Sequence, residues 1–176
     1  VTFGSTTVEG GNGNSAFTNN SNGILTFTGN FWTNSNNEAA RTMTLQGLGS
    51  IQVAGNVQAS ATSFDHILRK KGTGTVTITS TGSTLDGGVF IDNGTLAITD
   101  FRSVTNNSGT INIGSNASNT NLNNSNNNGA GTLLIGTTTS PSLAGLTTSK
   151  VVNLAGTTNG ATILASQTGV NPVVFN

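Results

Sequence analysis

The side chains that could do chemistry are few in this 176-residue chain, and they are scattered along it. There are six acids, one histidine and no cysteine. Hydrolysis of polysaccharides needs carboxylates that converge on one face, and a transition-metal site needs three or four His, Cys or carboxylate ligands. Asp65 and His66 are adjacent, but neighbouring residues of a strand point to opposite faces. We therefore predict no catalytic residue, no metal and no cofactor, and a protein that is not an enzyme.

Two further groups of residues could bind a partner. Arg69, Lys70 and Lys71 are the only cluster of positive charge, and we interpret them as a solvated corner that keeps a sheet surface soluble. Phe31 and Trp32 could stack on a sugar ring, but a chain with one tryptophan and no tyrosine is poorly equipped for a carbohydrate groove. Packing in the core or at an interface is the prediction for this pair.

The charge balance argues against two classes of partner. Six Lys and Arg match six Asp and Glu, so the chain has no excess of positive charge for nucleic acid or for an anionic membrane surface. No apolar run approaches the roughly 20 residues that cross a bilayer. We expect neither nucleic-acid binding nor membrane insertion.

The element that must position these residues is a β-strand. Asn, Thr, Ser and Gly together make up 99 of the 176 residues, and one third of the chain is apolar. In the stretch GTGTVTITS (72–80), Val76 and Ile78 alternate with threonine. A period of two predicts a strand with its apolar residues on one face and threonine on the other. No window keeps the apolar spacing of a helix, so the chain is predicted to be all-β.

The same phrase, a glycine followed by apolar residues at the second and fourth positions after it, occurs six times. Successive copies are 26, 25, 20, 15 and 22 residues apart, as expected where one strand is reused and the turns vary in length. Stacking of equivalent strands would then build one apolar column inside a β-solenoid. The six copies begin at Gly23, Gly49, Gly74, Gly94, Gly109 and Gly131.

These observations predict a single domain, 1–176, built as a parallel β-solenoid. An antiparallel β-sandwich is the alternative, because Asn-Gly between apolar runs is also a hairpin signal. Within the domain, 115–129 is predicted to be an exposed, Asn-rich loop. In 142–176 the glycines no longer stand at this fixed spacing before the apolar residues, so strands of less regular register are expected there.

Part of the chain resembles a known family. The phrases RTMTLQG (41–47), LRKKGTGTVTI (68–78) and GGVFIDNGTL (87–96) occur in the order found in the autotransporter-associated β-strand repeat of large bacterial surface and secreted proteins. The resemblance covers about a third of the chain. It implies a right-handed parallel β-helix that is exported to the cell surface or the medium, although Leu85 stands where the family often has an aromatic residue.

The two ends of the chain suggest how such a protein would be used. A β-solenoid has an open row of unpaired strand groups at each end, and soluble solenoids cover those rows with polar caps. Here both ends are apolar, and Val1, Phe3, Val173, Val174 and Phe175 are the residues expected to mediate self-association. We predict a structural subunit that stacks head-to-tail on copies of itself in an extracellular filament or surface layer. The alternative is an adhesin passenger segment that binds glycans or a host protein; an ice binder is a third hypothesis.

Overall fold

The computed structural model describes most of the chain. The described residues are 1–4, 8–9, 13–33, 40–59, 66–85, 87–104, 109–114, 130–136, 147–148, 150–154, 160–165 and 174–175, and for 8–9, 147–148 and 174–175 the backbone alone is described. These residues form an all-β structure with a single short 3-10 helix, η1, at Phe101–Ser103.

The strands are short, which fits the spacing of the glycine and asparagine residues between them. β-Branched residues favour the extended backbone, and glycines of positive φ, such as Gly47, Gly94 and Gly136, lie at the start or the end of several strands. In chain order the strands are β1 Thr2–Phe3, β2 Val8–Glu9, β3 Ser15–Thr18, β4 Ile24–Phe27, β5 Phe31–Trp32, β6 Thr42–Gln46, β7 Ser50–Val53, β8 Val57–Gln58, β9 Ile67–Lys70, β10 Thr75–Ile78, β11 Val89–Ile91, β12 Gly94–Ile98, β13 Ile111–Ile113, β14 Gly131–Ile135, β15 Thr147–Thr148, β16 Val152–Leu154, β17 Ala161–Ala165 and β18 Val174–Phe175.

Every pair of neighbouring strands in the described part of the chain runs parallel. The antiparallel sandwich is therefore wrong for these residues, because a hairpin would place neighbouring strands in opposite directions. The strands form a seven-stranded sheet (β1-β4-β7-β10-β12-β14-β17), a six-stranded sheet (β3-β6-β9-β11-β13-β16), a three-stranded sheet (β2-β5-β8) and a two-stranded sheet (β15-β18).

The chain visits the sheets in one repeated order. A pass is defined here as the segment that starts with one strand of the seven-stranded sheet and ends with the next strand of the six-stranded sheet along the chain. The middle of a pass is a strand of the three-stranded sheet in passes one to three, η1 in pass five and β15 in pass six. In pass four Thr84 N donates to Val57 O at 3.0 Å, which continues the hydrogen bonding of the three-stranded sheet. Pass seven is described at β17 and β18.

The predicted glycine phrases stack in register in the seven-stranded sheet, with one exception. Leu25, Ile51, Val76, Leu96 and Leu133 are aligned from strand to strand, as the repeat predicts. The sixth phrase is different, because Ile111 and Ile113 lie in β13 of the six-stranded sheet. The prediction of one common column is therefore confirmed for five phrases and wrong for the phrase at Gly109.

The inner faces of the sheets share one apolar core. In passes one and two the rings of Phe17 (six-stranded sheet), Phe27 (seven-stranded sheet) and Phe31 (three-stranded sheet) contact one another, with centroids 5.1–5.5 Å apart. Further along, buried Val, Ile and Leu side chains from both large sheets continue the same cluster. Burial of this apolar surface is the main source of stability, at roughly 25 cal/mol per Å².

In the C-terminal part, β17 is more regular than the sequence suggests. β17 pairs with β14 over five residues, and Ile163 is aligned with Leu133 in the column that the glycine phrases define. The expectation of less regular register in 142–176 is therefore wrong for β17. The glycine phrase did not predict this strand, because Gly160 precedes Ile163 by three positions, whereas Gly131 precedes Leu133 by two. Ala161, and not Gly160, is therefore aligned with Gly131. The predicted loop, 115–129, lies outside the described residues.

Candidate functional site

The first candidate site is the N-terminal end of the strand stack. Val1 and Phe3, named here the N-terminal row, are 85% and 45% exposed. Phe3 is aligned with Phe27 and stacks on its ring at a centroid distance of 5.4 Å, so it points to the core side of the sheet. Its other face is exposed because β1 is the edge strand of the seven-stranded sheet. The role of these two residues in self-association stays a prediction.

The C-terminal residues predicted to self-associate are only partly described. Val173 lies outside the described residues, and Val174 and Phe175 form β18, which pairs in parallel with β15 of the same chain. One edge of β18 is thus already used within the molecule. Their role in self-association stays a prediction.

Sequence reasoning missed a second row of residues at the C-terminal end of the stack. Leu154 is aligned with the fully buried Ile113, yet Leu154 itself is 62% exposed, because β16 is the edge strand of the six-stranded sheet. β17 is likewise the edge of the seven-stranded sheet. The alternation of apolar residues in 151–154 and 161–165 was the signal for these strands. The C-terminal row, defined by its core-side positions, consists of Val152, Leu154, Ile163 and Ala165.

Each edge strand also has backbone groups that no described strand pairs. An unpaired edge in a parallel sheet is a template for a further strand, and pairing would satisfy its N–H and C=O groups. Among the described residues, β1, β16 and β17 each have a strand of their own sheet on one side only.

The second candidate site is the positive cluster, and here the sequence interpretation is wrong. Arg69 and Lys70 are 4% and 2% exposed, so they are not a solvated corner. Lys70 occupies a core-side position, aligned with Leu45 in the strand before and with Ile91 in the strand after. The pattern contained this information, because Leu68 and Lys70 hold the two alternating core-side positions of β9.

The ammonium of Lys70 is held by backbone oxygens. Its Nζ atom donates to Lys71 O and Gly72 O, each at 2.6 Å, and to Asn93 O at 3.0 Å. These three donor sites match the three acceptors, so the buried cation is fully hydrogen-bonded. The Lys70 corner is defined here as Lys70, Lys71, Gly72 and Asn93.

A change in corner length explains why a lysine is needed. Val76 follows Lys70 by six positions, but Leu96 follows Ile91 by only five in the aligned pass that comes next. One level earlier, Gly74 N donates to Gly47 O at 3.0 Å. At the shorter corner the equivalent donor, Gly94 N, is directed to Ala130 O and to Asn93 Oδ1 instead.

Gly72 O therefore does not accept a hydrogen bond from Gly94 N in the way that Gly47 O accepts one from Gly74 N. Lys70 Nζ donates to Gly72 O instead. An unpaired buried carbonyl costs about 1–3 kcal/mol, so this replacement stabilises the shortened corner.

The same strand carries a buried ion pair on its other side. Arg69 Nε donates to Asp92 Oδ2, both side chains are almost completely buried, and the guanidinium carbon lies 5.7 Å from the centroid of the Phe90 ring. Nη1 of Arg69 is buried without a hydrogen-bond partner in the described part of the chain. Burial lowers the pKa of Lys70 to about 8, and the nearby carboxylate of Asp92 opposes that shift.

The acids and the histidine do not form a site in the described residues. No three His, Cys, Asp or Glu side chains among them are close enough to hold a metal ion. His66 is fully buried beside β9, and Asp65, its neighbour in sequence, lies outside the described residues, as do Glu38 and Asp86. The remaining acids whose side chains are described, Asp92 and Asp100, are each paired with an arginine.

The aromatic pair and the threonines are placed by the sheets. Phe31 is fully buried in the core, whereas Trp32 is half-buried and aligned with Gln58. On the outer face of the seven-stranded sheet, one column contains four consecutive threonines, but the neighbouring column changes from Thr77 to Ala97 and Leu134. An ice-binding surface would need two adjacent threonine columns, and the second column is interrupted here. The threonine column is Thr75, Thr95, Thr132 and Thr162.

Comparisons of the chain with protein-family models, with curated proteins and with solved structures found no match. Within the described residues there is no helix of the length and hydrophobicity that a bilayer crossing requires.

Proposed function

We propose that this protein is a structural subunit of an extracellular filament or surface layer, and that it stacks head-to-tail on copies of itself. In this proposal the passes are the coils of a right-handed parallel β-helix. The repeated order in which the chain visits the sheets supports the coil, because a parallel strand can follow its predecessor in the same sheet only after a crossover. The contacts among Phe17, Phe27 and Phe31 support a core enclosed from three sides.

The observation that carries the proposal is the exposure of core-side residues at both ends of the stack. Phe3 and Leu154 point to the core side of their sheets and are nevertheless 45% and 62% exposed. A second copy of this chain would remove both from water and pair the edge strands in the same step. The interior of the described stack has few charged groups, so the assembly would depend on apolar burial and backbone pairing.

Export to the cell surface or the medium is part of the same proposal. It is supported by the resemblance of 41–47, 68–78 and 87–96 to the autotransporter-associated repeat. The threonine column on the outer face of the seven-stranded sheet suits a structural protein exposed to solvent, because threonine is compatible with strands and with water.

Electron microscopy of the purified 176-residue chain tests the proposal. Fibres or sheets with an axial repeat near one subunit, about 30–35 Å for seven passes at about 4.8 Å each, are expected. Dispersed monomers at all concentrations would contradict it. Dispersed monomers that bind glycans would support the adhesin alternative.

A matched pair of variants links assembly to the C-terminal row. Leu154→Lys places a charge where a second copy would bury it, so fibres should be lost while the circular dichroism of the monomer is unchanged. Leu48→Lys is the control, because Leu48 is a similarly exposed leucine that lies at a corner of the stack and not at its end. Equal loss of assembly in both variants would contradict end-to-end stacking.

A further inference from the structure

The outer face of the three-stranded sheet carries the only tryptophan of the chain. Phe31 is fully buried in the core, and Trp32, the next residue of β5, therefore points to the opposite face of the sheet. Packing in the core or at an interface is predicted for both residues, and Phe31 alone lies in the core. Trp32 is only half-buried, so part of its side chain is open to solvent.

Polar side chains lie beside this ring on the same face. Gln58 of β8 is aligned with Trp32, and Asn56, two positions before Gln58, points to the same face. Thr84 N donates to Val57 O at 3.0 Å, which places the exposed Thr84 beside Gln58 on the next level of the stack. The Trp32 surface is defined here as Trp32, Asn56, Gln58 and Thr84. It extends over two strand spacings, roughly 10 Å.

One polar atom of the Trp32 surface is not used by the fold. Gln58 Oε1 is buried without a hydrogen-bond partner, and no other side-chain amide of the described residues is in this condition. An unpaired buried acceptor costs about 1–3 kcal/mol, so its presence calls for an explanation. The Gln58 side chain as a whole is only half-buried, and rotation about its terminal bonds can present Oε1 to a donor at the surface.

The neighbouring polar groups are donors. Thr84 Oγ1 accepts a hydrogen bond from Ala59 N at 3.2 Å, and its own hydroxyl hydrogen can be donated to another group. Asn56 Oδ1 accepts from Gly82 N at 3.2 Å, and the NH₂ group of the same amide supplies two further donors. The ring is therefore flanked by donors and by one acceptor, and the three polar side chains carry no charge.

From this arrangement we infer that the Trp32 surface binds an uncharged oligosaccharide. The C–H face of a pyranose packs on an indole ring, and its hydroxyls are donors and acceptors that match amide and hydroxyl side chains. A row roughly 10 Å long favours more than one sugar unit. A protein partner fits less well, because a stable protein interface buries roughly 800 Å² on each side, far more than one half-buried ring offers.

The site lies on the side of the passes, so it goes beyond the proposed stacking and does not depend on it. One ring and a few hydrogen bonds give weak binding, with a dissociation constant of roughly 1 mM.

The fluorescence of the folded chain tests the inference, because the chain has one tryptophan and no tyrosine. The purified chain is titrated with maltohexaose, xylohexaose and chitotetraose, up to about ten times the expected dissociation constant. At least one of them should give a saturable blue shift of the Trp32 emission, since the bound sugar removes the ring from water. Absence of a saturable change with all three would overturn the inference.

A matched pair of glutamine variants tests the role of Gln58. Gln58→Met keeps the length of the side chain but removes the acceptor, so binding should weaken about fivefold, the equivalent of one hydrogen bond. Stability should not fall, because the replaced oxygen has no partner in the described part of the fold. Gln52→Met is the control, since Gln52 is a half-buried glutamine on the outer face of the seven-stranded sheet, aligned with Thr77. Equal affinities of the two variants would overturn the assignment.

Calorimetric titration with the sugar that binds the parent extends the test to variants that lack the fluorescent reporter. Trp32→Ala should lose the heat of binding, and Trp32→Phe should retain part of it, with circular dichroism as the check of folding for both. If Trp32→Ala does not fold, Trp32→Phe and Gln58→Met still decide the question. Full binding by a folded Trp32→Ala variant would overturn the inference, whether or not the chain forms fibres. Sugar binding by a chain that forms no fibres would overturn the stacking proposal alone.

Discussion

The Nζ atom of Lys70 lies 2.6 Å from the carbonyl oxygen of Gly72, inside the corner that connects the six-stranded sheet to the seven-stranded sheet. This contact replaces a backbone hydrogen bond that the shorter corner of the next pass does not make. A lysine at a core-side position thus serves as an internal donor.

Replacement of this lysine by an apolar residue of similar length should destabilise the protein. Lys70→Met leaves the carbonyls of Lys71, Gly72 and Asn93 without the donors they now share. We expect a loss of about 2 kcal/mol in the free energy of unfolding, measured with urea, because unpaired buried acceptors are costly. Lys71→Met is the control and should cost less. A Lys70→Met variant as stable as the parent would show that the carbonyls do not need the ammonium.

The same residue gives stability a dependence on pH. Burial lowers the pKa of Lys70 to about 8 in the folded chain, against 10.5 as its ordinary value, while Asp92 opposes the shift. The unfolded chain therefore binds more protons between pH 8 and pH 10.5, and the contribution of Lys70 to stability rises with pH across that window. The neutral amine still has two N–H donors for the corner.

Urea unfolding at about pH 7.5 and about pH 10, on either side of most of that window, checks this sign. Burial also lowers the pKa of Lys71 and of Lys150, so the informative quantity is the difference between the parent and Lys70→Met. The rise in stability should be smaller in the variant. An equal rise in both proteins would contradict the assignment to Lys70.

The two arginine–aspartate pairs should differ in their effect on stability. Arg69→Gln breaks a buried pair and should cost about 3 kcal/mol or more, because the charge of Asp92 is left in the interior. Arg102→Gln breaks the pair with Asp100, in which the arginine is exposed, and the Asp100 carboxylate keeps the hydrogen bond from the backbone N–H of residue 102, so the loss should be smaller. Thermal and urea unfolding of the two variants measure the contrast. Similar losses would mean that Arg69 is solvated in the folded chain.

Glycine at position 72 should be required for two separable reasons. Its φ of +71° disfavours any side chain, and a Cβ there would lie 2.5 Å from Gly47 O of the pass before. Gly160 has a similar φ of +88°, but a Cβ added there would meet no atom of the described residues within 4 Å, so Gly160→Ala measures the backbone cost alone, about 1 kcal/mol. Gly72→Ala should lose distinctly more in urea unfolding. Equal losses would indicate that the stacked corners can separate without cost.

The sequence predicted the strands better than it predicted which sheet each strand joins. The alternation of Val76 and Ile78 with threonine fixes a strand and its inner face, because the side-chain period of two is unambiguous. The phrase at Gly109 has the same alternation but lies in the six-stranded sheet. Each side of a pass needs an apolar inner face, so the local pattern does not distinguish one side from another.

The charged residues were misread for a related physical reason. Lys and Arg are usually exposed, and composition alone favours a solvated corner for Arg69 and Lys70. Their burial depends on Asp92 and on the carbonyl of Asn93 in the following pass, each 23 residues away in sequence. The exposed core-side residue Leu154 was missed because exposure depends on which strand is last in its sheet, and no local pattern encodes that.

The parallel pairing of each pass with only its neighbours also has a mechanical consequence. A pull on the two ends of the chain would load the end strands first and peel successive passes, since no described hydrogen bond joins distant passes directly. The aligned residues Ile51, Val76 and Leu96 are 25 and 20 positions apart, so each peeled pass would release a length of roughly 70–90 Å at about 3.5 Å per residue. The molecule would yield in unequal steps, whose sizes record the number of residues in each pass.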